Sequence, residues 1–218
     1  MTEKFRVDRR ILSANEKFAL SNRHDFEISS TYVCNLLSSP GAGKTSLLEW
    51  TVKLMKERYS IGVIEGDIRT ENDSLRLRAL GIPVVQINTG GACHLEASMV
   101  RRVLANFDLN ELDILFIENV GNLVCPSSYD LGENIKIVIV STPEGDDKPS
   151  KYPAIFRKSR LMIINKIDLL PYTDFNVENV KRNALLINSN LTVFETSCKT
   201  GEGLENWISW LEERISEM

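Results

Sequence analysis

Residues 38–45 of the chain read Ser38-Ser39-Pro40-Gly41-Ala42-Gly43-Lys44-Thr45. An apolar run, Tyr32 to Leu37, precedes this stretch and predicts a buried strand, while the leucines after it fall at helical spacing. A strand, a glycine-containing turn, Gly-Lys-Thr and a helix, in that order, are typical of a phosphate-binding loop. In such a loop successive N–H groups point at phosphate oxygens, and the helix N-terminus adds a positive partial charge. The stretch therefore predicts a nucleotide site.

Individual residues of this loop have distinct expected roles. Lys44 is expected to reach the β- and γ-phosphates, and the Thr45 hydroxyl is expected to bind Mg²⁺. Ser38 departs from the usual pattern GxxxxGK(S/T), which has a glycine at that position. The alternative is a glycine-rich helix cap that binds no ligand. The residues expected to contact the nucleotide here are Ser39, Pro40, Gly41, Ala42, Gly43, Lys44, Thr45 and Ser46.

The composition is that of an ordinary soluble globular protein. The chain has 218 residues, of which 43% are hydrophobic and 26% charged, enough for one full α/β domain. A net charge of −4 argues against broad binding to nucleic acid or to anionic membranes. No apolar run approaches the ~20 residues that span a bilayer, and the charged start does not resemble a signal peptide. We therefore expect a cytoplasmic protein with reduced cysteines and no membrane or nucleic-acid partner.

Seven apolar runs predict the strands of one sheet. They are Tyr32 to Leu37, Ile61 to Glu65, Pro83 to Ile87, Leu112 to Ile117, Ile135 to Val140, Leu161 to Ile164 and Thr192 to Glu195. Strands that are apolar throughout are buried on both faces, which favours a three-layer, doubly wound, mostly parallel α/β sheet of the P-loop NTPase type. Helices are expected at about 95–107, 176–188 and 204–215, and a loop at 141–147. We expect a single domain over residues 1–218.

The first 25 residues predict an amphipathic helical segment. Apolar residues recur at helical spacing from about Val7 to Arg23. The apolar set includes Ile11, Leu12, Phe18 and Leu20. This helix is expected to pack outside the sheet or, alternatively, to serve a partner. Asn22-Arg23-His24 is expected to form a polar connection into the first strand.

Asn165-Lys166-Ile167-Asp168 follows a predicted buried strand and narrows the nucleotide to GTP. The Asp168 carboxylate can accept hydrogen bonds from N1–H and the exocyclic amine of guanine. Adenine has an acceptor at N1 and no amine at C2, so it would leave this carboxylate unpaired. The stem of Lys166 can lie along the base, and Asn165 can tie two loops together. Ser197-Cys198-Lys199 is similar to the Ser-Ala-Lys loop that lies beside guanine O6 in G-domains.

Asp67 and Glu118 each end a predicted strand and are candidates for the Mg²⁺ and γ-phosphate site. The turn Glu118 to Gly121 resembles the Asp-x-x-Gly turn of GTPases, in which the glycine amide senses the γ-phosphate. Asp67 is a candidate for binding Mg²⁺ or for positioning the attacking water. With Lys44 these two form the expected catalytic set; the alternative is that both carboxylates cap turns. No Gln or Arg stands out in a switch position, so we expect slow hydrolysis by the isolated monomer.

Cys93, His94 and Cys125 predict a metal site. Thiolates and imidazoles are ligands of both Zn²⁺ and Ni²⁺. Because Cys125 follows the turn Glu118 to Gly121, a metal could be held or released according to the nucleotide state. A symmetric dimer could complete the coordination shell. The alternative is that the three residues are structural; Cys34 is expected in the core, and Cys198 as a substitute for alanine.

Several stretches resemble the HypB family, the SIMIBI-class P-loop GTPases that incorporate nickel into hydrogenase. They are NLLSSPGAGKTSLLE, EGDIRTENDS, GGACHLEA, FIENVGNLVCP, NKIDLLPY and SCKTGEGLENW. The resemblance covers nearly the whole chain. It implies GTP hydrolysis with Mg²⁺, and Ni²⁺ or Zn²⁺ bound by Cys93, His94 and Cys125 at a homodimer interface that GTP favours. It also implies a zinc-binding HypA-like partner and nickel delivery to the hydrogenase large-subunit precursor.

The chain lacks two features of many HypB members. It has no cysteine before Cys34 and just two histidines, so an N-terminal nickel motif and a histidine-rich tract are both missing from this sequence. Other assignments remain open: an accessory GTPase of the UreG type, which has Cys-Pro-His where this chain has Cys93-His94, or a GTP-dependent switch without metal transfer. A metabolic P-loop kinase would need an acceptor pocket and an Arg-rich lid, for which the sequence gives no sign.

Overall fold

The computed structural model describes residues 2–67 and 72–218, with side chains from residue 14 onward. Within these residues the chain builds a seven-stranded sheet in the order β3-β2-β4-β1-β5-β6-β7, and all neighbouring strands are parallel. The strands are β1 (Tyr32–Ser38), β2 (Ile61–Asp67), β3 (Val84–Asn88), β4 (Ile114–Glu118), β5 (Ile135–Ser141), β6 (Leu161–Asn165) and β7 (Thr192–Glu195). The predicted doubly wound α/β sheet of seven strands is confirmed. Residues 68–71 of the stretch EGDIRTENDS lie outside the described residues.

Helices cover both faces of the sheet and complete a three-layer arrangement. They are α1 (Thr2–Ile28), α2 (Lys44–Met55), α3 (Asn72–Arg78), α4 (Ala97–Leu104), α5 (Lys148–Lys151), α6 (Pro153–Lys158), α7 (Val177–Ile187) and α8 (Leu204–Ser216). Side chains of α2, α3 and α8 share one apolar core with the sheet. On the opposite face α1 and α4 contribute to a second core, and α6 and α7 to a third.

The central strand β1 shows why the strands are predominantly apolar. Cys34 and Leu36 face the layer of α2 and α8, whereas Val33 and Leu37 face the opposite helices. Successive side chains of a strand point to opposite faces, so a strand covered on both sides needs apolar residues at most positions. All four are fully buried.

The N-terminal helix is longer than predicted. Because α1 continues to Ile28, the segment Asn22-Arg23-His24 lies within the helix, and the prediction of a connection there is wrong. His24 is an exposed helical residue.

The buried face of α1 also differs from the prediction. Phe18 and Leu20 were expected in the apolar set but are 44% and 63% exposed, while the helix buries Asn15, Ala19, Asn22 and Phe26. These four recur at intervals of four, three and four residues and so share one face. The buried amides are tolerated because they hydrogen-bond to backbone groups of neighbouring segments. The predicted positions Ile11 and Leu12 lie outside the residues whose side chains are described.

The segment predicted as a loop, residues 141–147, contains a 3-10 turn at Thr142–Glu144 and leads into α5 and α6, which the sequence reading missed. Pro143, Pro149 and Pro153 each stand in the first turn of a helical segment. Proline is tolerated there because its missing N–H would have no partner within the helix. The backbone N–H and the Oγ of Ser141 both donate to Glu144 Oε2, at 2.8 and 2.9 Å, which closes the turn.

The parallel arrangement brings the carboxyl ends of all strands to one edge of the sheet. At that edge the phosphate-binding loop follows β1, Asp67 ends β2, and Glu118 ends β4. Asn165 ends β6 on the other side of β1. Ligands of open α/β sheets bind at this edge. Among the helices that the structure describes, none is both long enough and apolar enough to cross a bilayer.

Candidate functional site

The phosphate-binding loop is closed by its glycines and by contacts with β6. Gly43 adopts φ 105° and precedes the first residue of α2, a left-handed conformation that strongly favours glycine. A Cβ atom at Gly43 would collide with the side-chain amide of Asn165. Within the loop the Ala42 N–H donates to the Ser39 carbonyl at 3.4 Å. The curled backbone leaves the start of α2 facing the cleft at the sheet edge, as anion binding requires.

Ser38, the residue that departs from the usual loop pattern, is fully buried. Its Oγ accepts a hydrogen bond from Lys44 Nζ at 3.1 Å and donates to the Ser39 carbonyl at 2.6 Å. The serine thus holds the lysine side chain over the loop. Ser46, in the first turn of α2, accepts a hydrogen bond from Arg76 at 3.4 Å.

Carboxylates of two adjacent strands line a cleft of about 490 Å³ beside the phosphate-binding loop. Thr45 Oγ1 donates to Glu118 Oε1 at 2.8 Å, which joins two of the predicted Mg²⁺ ligands. Asp67, the third, lines the same cleft. The structure adds Glu65, which lies opposite Glu118 in the strand register and was not predicted as a site residue.

The charge state of the two glutamates reflects their burial. Desolvation, and after it the neighbouring Glu118 carboxylate, together raise the pKa of Glu65 to about 8. Burial likewise raises the pKa of Glu118 to about 7. One oxygen of each carboxyl is buried without a hydrogen-bond partner among the described residues. Buried carboxylate oxygens facing a hydroxyl and a cleft are a donor set that suits a hard divalent cation.

The turn after β4 lies directly on the phosphate-binding loop. A Cβ atom at Gly121 would fall 2.9 Å from Pro40 Cα, so only glycine allows the two backbones to approach this closely. Gly121, Pro40 and Gly41 all line the cleft. A displacement of the turn after β4 would therefore also displace the phosphate-binding loop, and the reverse.

The predicted base loops meet through a set of short hydrogen bonds. Asn165 Nδ2 donates to the Ala42 carbonyl at 2.9 Å, and Asn165 Oδ1 accepts from the Cys198 N–H at 3.3 Å. Ser197 Oγ donates to Asp168 Oδ1 at 2.6 Å and accepts from the Lys199 N–H at 3.2 Å. Asn165 therefore links the phosphate-binding loop to the loop after β7.

Two further contacts fix this region. Lys166 has φ 63° and donates from Nζ to the Gly41 carbonyl at 2.7 Å, so its stem crosses the loop. Trp50 on α2, which the sequence reading did not single out, donates from Nε1 to the Cys198 carbonyl at 2.6 Å. Burial raises the pKa of Cys198 to about 11 and keeps it a neutral thiol, consistent with its predicted role as a substitute for alanine.

The side chains of Cys93, His94 and Cys125 come together although they belong to two different loops. Their ligand atoms all lie within 4.8 Å of one another, and each residue is half-buried. The hydrogen-bonded Cys125 thiol raises the pKa of Cys93, and burial lowers the pKa of His94. Two thiols and a neutral imidazole at this spacing fit a tetrahedral or square-planar divalent metal, which binds as the thiols lose their protons.

The other two cysteines lie elsewhere, as expected. Cys34 is fully buried in β1, where burial raises its pKa. Cys198 lies in the base loop. Neither belongs to the cluster of potential metal ligands found among the described residues.

Neighbours that the sequence reading missed brace the two loops. Asn122 Nδ2 donates to the Cys93 carbonyl at 3.3 Å, and Asn122 Oδ1 accepts from the Val124 N–H at 2.8 Å. The ring of Tyr129 stacks on that of His94, with centroids 3.9 Å apart and an interplanar angle of 26°. No spacing rule relates Tyr129 to His94 in the sequence, because the contact depends on the path of the second loop.

Leu95 connects the cysteine–histidine loop to the carboxylate cleft. Its N–H donates to Asn119 Oδ1 at 3.1 Å, directly after Glu118. Its side chain covers Gly66, where a Cβ atom would fall 2.8 Å from Leu95 Cδ1. Gly66 stands between Glu65 and Asp67. One buried residue next to His94 thus contacts both strand ends that line the nucleotide cleft.

Comparison with known proteins gives consistent matches. The family model described as "CobW/HypB/UreG, nucleotide-binding domain" matches residues 32–195. The hydrogenase maturation factor HypB of Azotobacter vinelandii is 50% identical over 209 residues, 96% of this chain and 69% of that protein.

Two solved structures share the fold. The hydrogenase maturation factor HypB from Archaeoglobus fulgidus superposes with a TM-score of 0.88 at 40% identity, over 93% of this chain and 99% of that one. The structure of HypB from Helicobacter pylori in complex with nickel also gives a TM-score of 0.88 at 40% identity, over 94% of this chain and 96% of that one.

Proposed function

Because the chain belongs to the CobW/HypB/UreG family of nucleotide-binding domains, and within it to the HypB proteins, we propose that it is a GTP-hydrolysing metallochaperone that delivers nickel during hydrogenase maturation. One observation carries the proposal. Two thiols and an imidazole from separate loops converge within 4.8 Å, and both loops connect directly to the nucleotide cleft.

The nucleotide is GTP with Mg²⁺. The hydrogen bond from Ser197 to Asp168 leaves the second carboxylate oxygen of Asp168 available for guanine. Thr45, Asp67 and Glu118 would hold Mg²⁺, which would neutralise charge that develops on the phosphates. Lys44, held over the loop by Ser38, stabilises the same charge. Gly121 offers its N–H to the γ-phosphate.

The nucleotide state reaches the metal ligands through Leu95. Movement of the Glu118–Gly121 turn displaces Asn119, and with it the acceptor of the Leu95 N–H. Movement of the end of β2 displaces Gly66, on which the Leu95 side chain rests. Either change alters the position of His94, the adjacent residue, so the metal affinity differs between the triphosphate and diphosphate states.

The ion is nickel cargo, or zinc in its place, because the ligand types suit both. Three ligands leave a position open, which a second subunit or an acceptor protein can fill. Two GTP-bound subunits associate and present the cysteine–histidine loops at their interface, and hydrolysis releases the arrangement. The acceptors are a zinc-binding HypA-like partner and the hydrogenase large-subunit precursor.

Metal analysis tests the proposal. Protein bound to a non-hydrolysable GTP analogue or to GDP is exposed to Ni²⁺ and desalted, and its nickel is measured by plasma mass spectrometry. We expect stoichiometric nickel whose retention depends on the nucleotide, and loss of that nickel in Cys93→Ala and Cys125→Ala. Cys198→Ala is the matched control, because it removes a thiol that lies in the base loop. Unchanged nickel content in Cys93→Ala and Cys125→Ala would reject metal delivery and favour a GTP-dependent switch without metal transfer.

A further inference from the structure

The orientation of the His94 ring is defined by its surroundings. Nδ1 lies 3.7 Å from the Sγ of Cys93. Nε2 points the other way; it is buried without a hydrogen-bond partner among the described residues, and Glu96 Oε1 lies 3.8 Å from it. The ring nitrogen that faces the Cys93 thiol is therefore Nδ1.

The face of the ring is covered by Tyr129. The centroids of the two rings are 3.9 Å apart at 26°, a distance at which the tyrosine excludes any other group from that face. Tyr129 lies four residues after Cys125, at the end of the 3-10 turn Cys125–Ser128. The segment that supplies the Cys125 thiol thus also supplies the aromatic ring that stacks on the His94 imidazole.

The backbone at Tyr129 and the next residue is held by neighbouring elements. Its carbonyl accepts a hydrogen bond from Lys136 Nζ on β5 at 2.7 Å. The next residue, Asp130, pairs with Arg23 of α1 at 2.8 Å and accepts a hydrogen bond from Asn15 Nδ2 at 2.7 Å through its carbonyl. Supports from a strand and a helix fix the backbone that carries the ring.

From this arrangement we propose that Tyr129 is a positioning residue of the metal site, which holds the His94 imidazole so that Nδ1 binds the metal together with Cys93 and Cys125. The inference rests on the proposed function, since it assumes that the three residues bind nickel. Without the stacked ring the imidazole can rotate about its side-chain bonds, and the ligand set has to be ordered again at each binding event.

The test compares Tyr129→Phe with Tyr129→Leu. Phenylalanine keeps the stacked ring, so its Ni²⁺ affinity, measured by competition with a chelator, should stay within about twofold of the parent. Leucine fills the space without a ring face, and affinity should fall by about tenfold, the loss typical of outer-shell changes at a metal site. The affinity for GDP is measured in parallel and should be unchanged in both variants.

A double-mutant cycle separates positioning from a structural effect. In a His94→Ala background Tyr129→Leu should no longer change the remaining Ni²⁺ affinity, because no imidazole is left to position. An equal loss in both backgrounds would overturn the inference. So would parent-like affinity in Tyr129→Leu. A parent protein that binds no Ni²⁺ would instead reject the proposed function.

Nitrogen NMR gives a second readout. The chain has just two histidines, and His24→Asn assigns the remaining ring to His94. With diamagnetic Zn²⁺ as the probe, the parent should show coordination through Nδ1 alone. Tyr129→Leu should show a mixture of Nδ1 and Nε2 coordination or a broadened signal. Coordination through Nε2 in the parent would contradict the assignment.

Discussion

At the scale of single residues, Asp168 determines which base the site accepts. Asp168→Asn replaces one acceptor oxygen by an amide donor, which cannot pair with the N1–H and amine of guanine. We expect GDP affinity to fall roughly 10- to 100-fold, the range for losing hydrogen bonds to a charged group. Xanthine carries a carbonyl where guanine carries the amine, so affinity for xanthosine diphosphate should rise. Titration with both nucleotides measures the change.

Asp174→Asn is the matched control for this experiment, because Asp174 undergoes the same chemical change at an exposed position six residues further along the chain. It should retain the parent preference for guanine. If Asp168→Asn is as selective as the parent, the carboxylate is not the group that reads the base.

The raised pKa of Glu65 predicts that the stability of the protein depends on pH. Burial raises its pKa from 4.5 to about 8, so the folded protein holds a proton that the unfolded chain releases. The free energy of unfolding of the nucleotide- and metal-free protein should therefore fall as pH rises from about 5 to about 8. Glu65→Gln removes the titrating group at nearly constant size. The full shift corresponds to about 5 kcal/mol; since the carboxyl borders an open cleft that screens it, the advantage over the parent should grow across this window by about 2 kcal/mol, or roughly 4–8 °C in Tm.

Thermal unfolding in the presence of a chelator, at about pH 6 and about pH 8, measures this effect. A Tm difference between variant and parent that is the same at both pH values would show that Glu65 does not carry the buried proton.

Glu65 and Tyr129 show what could not be predicted from single residues in the sequence. Lys44, Asp168 and the strand-end Glu118 stand in motifs whose spacing is local. Glu65 stands at the end of an apolar run, and its role depends on β2 lying beside β4, a pairing that the chain order does not reveal. Its one local signal was the alternation that puts it on the same strand face as Asp67.

At the scale of secondary-structure elements, β2 offers a matched pair of glycines. A Cβ atom at Gly66 would fall 2.8 Å from Leu95 Cδ1, and one at Gly62 would fall 2.9 Å from Leu112 Cδ1. Gly66→Ala and Gly62→Ala should each cost about 1–3 kcal/mol of stability through overpacking. Only Gly66→Ala displaces the residue next to His94, so it should also weaken Ni²⁺ binding about tenfold.

Chelator competition for Ni²⁺ and denaturant unfolding of both variants check this prediction. Equal Ni²⁺ affinities in the two variants would mean that the end of β2 does not position the metal ligands, and would remove one of the two routes proposed through Leu95.

The elements themselves were predictable to different degrees. All seven strands follow from predominantly apolar runs, because strands covered by helices on both faces carry few polar positions. The helices α5 and α6 were missed because proline breaks a helix interior, so Pro149 and Pro153 indicated a loop. Both prolines in fact stand in the first turn of a helix, where proline is tolerated. The buried face of α1 was misjudged because Asn15 and Asn22, rather than the apolar Phe18, meet the body of the protein.

At the scale of the whole molecule, the proposed function predicts a nucleotide-dependent oligomeric state. The protein should be a monomer with GDP and a dimer with a non-hydrolysable GTP analogue, as measured by light scattering after gel filtration. GTP turnover per subunit should rise with protein concentration, because dimerisation supplies what the isolated site lacks. Rapid turnover that is independent of concentration would contradict this.

The attachment of α1 has a consequence for the whole molecule. Asn22 Nδ2 donates to the carbonyls of Ala97 and Leu131, both at 3.0 Å, and Asn15 Oδ1 accepts from the Ala97 N–H at 2.8 Å. The helix α1 therefore links the segment that follows His94 to the segment that follows Tyr129. In its described part this contact combines those amide hydrogen bonds with ion pairs of Arg23 with Asp130 and of Asp25 with Arg101, and with the buried Phe26 of the second core. A shift of α1 would therefore move these two segments relative to each other and change the shape of the ion cage, although all three predicted ligands belong to other parts of the chain.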